Sequence, residues 1–135
     1  MTLQYSVAVR NAGLDARETA VGTSAVLKLR TGAPPATCAT ADAGTVLVSM
    51  TLPSDWMAAA AAAAKAKSGT WNDPSADAAG TIGHFRIYAS DGTTCHMQGT
   101  VTVTGGGGDM TVDDVTPIVG QSVTITGFTL TAGNA

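Results

Sequence analysis

A chain of 135 residues with a net charge of −3, 44% hydrophobic but only 4% aromatic and 13% charged, has apolar material for one core, filled mostly by small side chains. Its seven basic residues are scattered from Arg10 to Arg86, a spread that argues against a nucleic-acid footprint, and no apolar run reaches membrane-spanning length. Leu3, Tyr5, Val7 and Val9 are interleaved with other residues instead of forming a charged-then-apolar leader, so synthesis in a cytoplasm is expected.

The first element expected is an N-terminal helical segment over 1–22. Leu3, Val7, Leu14 and Val21 repeat at helical spacing, with Arg10, Asp15, Arg17 and Glu18 elsewhere on the wheel. Ser6 or a neighbour should cap it and Gly22 should stop it. Ala25, Leu27 and Leu29 then alternate with Val26, Lys28 and Arg30 as in a strand, which Thr31-Gly32-Ala33-Pro34-Pro35 ends. Residues 31–44 read as a surface loop. Val46, Val48, Met50 and Leu52 mark a second strand closed by Pro53.

Ser54 and Asp55 precede Trp56, Met57 and seven consecutive alanines, 58–64. Alanine has the highest helix propensity, so a short helical turn capped by one of these residues is expected, followed by a strand across Ala64–Trp71. The competing reading is an extended or looped segment in which small side chains are required. Asn72–Asp77 is a turn cluster.

Thr81–Thr104 specifies its geometry most sharply. Gly83, Phe85, Ile87 and Ala89 share one parity and His84, Arg86 and Tyr88 the other; after the turn Cys95, Met97, Gly99, Val101 and Val103 alternate with His96, Gln98, Thr100 and Thr102. This is a β-hairpin with one buried face. A three-residue Ser90-Asp91-Gly92 loop, with Gly92 left-handed, would pair Ile87 with Cys95, Phe85 with Met97 and Arg86 with His96. Phe85, Ile87, Cys95 and Met97 are then core. His84, Arg86, Tyr88, His96 and Gln98 form an outer face to be covered by the N-terminal helix or used against a neighbouring subunit.

Gly105–Gly108 reads as a flexible connection, since no helix and no Lys-Ser/Thr pair follows as a phosphate loop requires. Asp109–Val112 looks extended. In the last strand the apolar parity changes from Val123 and Ile125 to Phe128 and Leu130 across Gly127, as at a β-bulge. Thr131–Ala135 reads as a flexible tail.

No cluster of residues points to catalysis. His84 and His96 lack further ligands on their face for a metal. Asp109, Asp113 and Asp114 do not match a calcium-loop spacing. The sole glutamate is Glu18, and no Gly-x-Ser-x-Gly elbow occurs. A non-enzymatic protein with no cofactor and no metal is expected. Trp56 and Trp71 read as core anchors first and partner contacts second. Cys38 and Cys95 do not make a disulfide framework, and a reducing cytoplasm argues against pairing them.

The order of parts, VAVRNAGLDARETAVGTSAVLKLRTGAPP, GTVLVSMTLPSDWM, GTIGHFRIYASDGTTCHMQGTV and GGGGDMTVDD…PIVGQSVTITGFTLTAGNA, resembles a family of small structural proteins of tailed bacteriophages and prophages, similar to capsid decoration or cement proteins. The resemblance implies a virion component on the capsid surface that binds the major capsid protein and copies of itself, as a dimer or trimer, with a tail or fibre component contacting the host surface as the alternative. The expected architecture is a single mainly-β domain over 1–135, an antiparallel jelly-roll-like β-sandwich with one N-terminal α-helix.

Overall fold

The computed structural model of the chain describes residues 3–133. One helix, α1 (Val7–Val21), precedes eight strands: β1 (Val26–Thr31), β2 (Val46–Thr51), β3 (Ala64–Ala66), β4 (Asn72–Asp73), β5 (Ile82–Tyr88), β6 (Cys95–Val103), β7 (Met110–Val112) and β8 (Val123–Thr131). Ser6 caps α1 by accepting from the Val9 amide, and Gly22, at φ 94°, ends it, because a left-handed stop costs glycine no Cβ clash.

The mainly-β class with one N-terminal helix is what the alternations predicted. Hydrogen-bonded neighbours run β2-β1-β5-β6-β7-β8-β3, with β4 beside β8. The sheet is mixed and not purely antiparallel, since β6 and β7 run parallel. The sheet is open, with β2 and β3 at its ends, and it curls enough to bring β4 against β2: the Ser49 amide donates to the Asp73 carboxylate at 3.1 Å and the Asp77 amide to the Leu47 carbonyl at 2.8 Å. Between the walls a chain of aromatic contacts crosses the core, from Trp56 to Trp71 (6.0 Å between centroids), to Phe128 (5.8 Å), to Phe85 (5.4 Å). Tilted and edge-to-face pairs at such distances are the favoured aromatic geometry. The two tryptophans are buried, with their indole N–H groups donating to the Gly22 and Ser68 carbonyls.

The hairpin faces were read largely correctly, the register was not. Ile87 pairs with Met97, Phe85 with Gly99, Arg86 with Gln98 and Tyr88 with Cys95. Two additions account for the shift. Asp91 accepts from the amides of Thr93 and Thr94, drawing residues 90–93 into a loop one residue longer than expected, closed where the Ala89 amide meets the Thr94 carbonyl. His96 is then an extra residue bulged from β6. The bulge also moves Cys95 out of the expected core and onto the Tyr88 face. Gly92 is left-handed, at φ 72°. In β8 the bulge falls where the apolar phase changes, at Thr126 beside Gly127.

The alanine run is not a helical turn. Residues 56–68 double back on themselves: Ala58 bonds Ala66, and Ala61 and Ala64 exchange both backbone bonds across Ala62 and Ala63, whose φ values of 50° and 59° make a two-residue turn of the primed kind. Alanine is a poor residue for two successive left-handed positions. What holds the segment is α1, whose polar face lies on it: Asn11 accepts from the Ala63 amide, Asp15 from Ala60 and Glu18 from Met57. Replacing Ala62 with Asn and Ala63 with Gly, a pair that takes these angles readily, is expected to raise unfolding free energy by about 1 kcal/mol in a urea titration.

Of the residues expected in the tail, Thr131 ends β8 and Ala132 is bonded on both sides. Thr131 pairs with Ala64, the Ala132 amide donates to the Ala63 carbonyl, and Arg10 donates twice to the Ala132 carbonyl. Residues 134 and 135, like 1 and 2, lie outside the described residues.

Candidate functional site

Two buried cations organise the surfaces on either side of a groove. The first is Arg86, 2% exposed on the outer face of β5. The loop over 32–44, and not the N-terminal helix, covers it. Nη1 of Arg86 donates to Asp42 at 2.7 Å, Nη2 to the carbonyls of Thr37 and Thr40 at 2.9 Å each, and Nη2 and Nε to Oε1 of Gln98 at 2.9 and 3.1 Å. Gln98 in turn donates to the Pro35 carbonyl at 2.6 Å. Asp42 also accepts from the Tyr88 hydroxyl at 2.7 Å and from Arg30 at 2.9 Å. Burial alone would push the Asp42 carboxyl up; the Tyr88 and Arg86 hydrogen bonds and the charges of Arg30 and Arg86 outweigh it and hold the group below the ordinary carboxylate value. The same bond, with burial, raises the Tyr88 hydroxyl.

His84, fully buried, places Nδ1 2.9 Å from the Gly32 carbonyl. A carbonyl only accepts, so Nδ1 carries the proton. The loop approaches here so closely that a Cβ on Gly83 would collide with the Gly32 carbonyl.

The second buried cation is Lys65, 2% exposed, on β3 beneath α1. Its Nζ lies 2.7 Å from Asp15 and 2.9 Å from Glu18, and donates to the Ala58 carbonyl at 2.9 Å. Burial works against its charge, and the two carboxylates more than offset that, leaving its pKa raised. Asp15 and Glu18, which lie off the apolar stripe of the helix, thus reach Lys65 from its rim.

The groove, about 760 Å³, lies between these two clamps. It exists because β7 is three residues long while its neighbours β6 and β8 have nine each. Where β7 stops at Met110, β6 before Val101 and β8 beyond Phe128 lose the strand they share. Their backbones are then roughly 10 Å apart, two strand spacings.

Both walls present backbone groups. The Thr100 amide points to this side, because it donates to Asp109 at 2.9 Å, and alternation along a strand turns the Gln98 amide the same way. On β8 the Phe128 carbonyl and the Ala132 amide bond toward β3 and its turn, so Thr129 and Thr131 turn to the groove. Phe85, Met97, Phe128 and Leu130 line it, Val21 and Arg17 of α1 flank it, and His96 and Gln98 sit on the β6 side.

Of the residues singled out as interface candidates, His96 is exposed on this rim and Gln98 is half-buried beside it. His84, Arg86, Tyr88, Trp56 and Trp71 are buried within the chain's own structure. Alternation alone did not disclose the groove or the partners of Arg86, since Asp42 sits in an irregular loop.

No family model matches the chain, and neither any curated protein nor any solved structure does.

Proposed function

We propose that this chain is a structural protein of a bacteriophage particle, a capsid decoration protein whose groove takes an extended segment of the major capsid protein. The observation that supports this reading is the groove itself: one strand wide, apolar inside, with backbone donors and acceptors turned inward from both walls. An extended chain laid there would continue the line of β7, hydrogen-bond on both sides and bury alternate side chains, the mode of strand addition. Binding to the assembled shell and not to separate subunits would stabilise the shell by mass action. The chain acts as a staple and not as an enzyme.

Heads purified free of tails are expected to contain the chain at a copy number in the hundreds by quantitative mass spectrometry, and stripping it should lower the temperature at which heads release their contents. A few copies confined to tails would overturn the capsid assignment and favour the tail or fibre reading. Ile118 and Val119, 65% and 68% exposed in the turn before β8, are the observation on that side.

A further inference from the structure

The two cysteines, far apart in sequence, meet at the clamp. The bulge at His96 puts Cys95 opposite Tyr88 and turns it away from the core. The loop is drawn to that face by Arg86, which holds the carbonyls on both sides of Cys38, those of Thr37 and Thr40, and by Gln98, which holds Pro35. Cys38 accordingly stands beside Cys95 and lines the solvent-open groove, and both thiols are reduced and half-buried.

We propose that Cys38 and Cys95 are a modification site: an intrachain disulfide formed by exchange with a small-molecule disulfide of the oxidised-glutathione class once the chain leaves the reducing cytoplasm. Cys38 loses its proton to solvent and its thiolate attacks one glutathione sulfur. The glutathione S–S bond breaks, and the first glutathione leaves as a thiolate that takes up a proton. Cys95, deprotonated in turn, attacks the Cys38 sulfur of the mixed disulfide and expels the second glutathione. Two protein thiols are oxidised, one glutathione disulfide is reduced to two thiols, and the two protons pass from cysteine to glutathione.

The order follows from the surroundings of Cys95, whose thiol is pushed up to about 11 by burial and by Cys38, against the pull of Arg86, so first attack falls to Cys38. The bond fastens the loop covalently over the face that Arg86 already clamps. It also closes a long loop of the unfolded chain, the case in which a cross-link stabilises most in the chain-entropy account. This inference rests on the clamp and is independent of the capsid reading.

The full chain, purified reduced and then incubated with oxidised glutathione, is expected to lose two hydrogens by intact mass, to yield a Cys38–Cys95 peptide on non-reducing digestion, and to gain roughly 10 °C in Tm. Cys95→Ser should add one glutathionyl group at Cys38, Cys38→Ser should add one far more slowly because burial still raises Cys95, and neither should show the gain in Tm. Cys38→Ser, a half-buried loop position, secures the control should Cys95→Ser fold poorly. A wild-type chain that stops at one or two glutathionyl adducts, or closes the bond with an unchanged or lower Tm, overturns the proposal.

Discussion

Replacing Arg86 with methionine is expected to lower the unfolding free energy by about 3 kcal/mol, the low end of the range for removing one partner of a buried ion pair, because the Asp42 side chain is 37% exposed and water partly screens it. The guanidinium is 2% exposed and bonds Asp42, Gln98 and the Thr37 and Thr40 carbonyls. Methionine restores much of the volume and none of the donors, so the loss measures the orphaned acceptors. Arg86→Lys should recover only part of it, because an ammonium cannot reproduce the planar fork that reaches Asp42, two carbonyls and Gln98 together. The damage should be local as well as global. Elastase, which cuts after alanine, is expected to cleave within 33–43 in the variant under conditions where the wild type resists. A variant with wild-type stability and an intact loop would show that the clamp contributes nothing.

Lys65→Met carries the second large effect, about 2–3 kcal/mol, below the fully buried case because water partly screens the carboxylates; the Asp15 and Glu18 side chains are 48% and 19% exposed. Its pH dependence separates charge from packing. Asp15 is held below its ordinary value of 3.8, chiefly by the hydrogen bond from Lys65 and then by the Ala60 amide. A carboxyl lowered in the folded state contributes its full share above its unfolded pKa, and that share is lost as pH falls through the folded value. The gap between wild type and Lys65→Met should therefore be constant above about pH 5 and narrow below about pH 4. A gap that stays constant into acid would mean that Lys65 acts through packing alone. Hydrogen exchange should show α1 and residues 57–63 loosening together in the variant, since Asn11, Asp15 and Glu18 bind that segment's amides.

What was legible in the sequence is what alternation encodes. The parities of β1, β5 and β8 set which side chains enter the core, and the phase change at Gly127 announced a bulge that is present. In β2 the expected Val46 is half-buried and Leu47 enters the core, because the pairing with β1 skips a residue there. Loop length and the bulge at His96 were not legible, because each shifts the pairing by one and together they return the same parity to Met97. The alanine run misled for a stated reason. Propensity describes an isolated segment, and here three side chains of α1 satisfy its amides in an extended hairpin that helix propensity opposes. The partners of the polar residues on α1 were not legible for the same cause: Asp15 and Glu18 bond Lys65, which is distant in sequence and buried beneath them. The outer hairpin face was recognised as too polar for plain exposure. Its cover came from a loop whose composition carries no periodic signal.

The groove follows from a mismatch in strand length and could be seen only once β7 was placed between β6 and β8. Its role is open to one direct measurement: amide hydrogen exchange of the chain free in solution and bound to purified tail-free heads. The amides of Gln98, Thr129 and Thr131 are expected to exchange fast in the free chain and to become strongly protected on the head, while the rim of the 115–121 turn is unchanged. Equal exchange of those three amides in both states, with protection appearing elsewhere, would contradict strand addition at the groove.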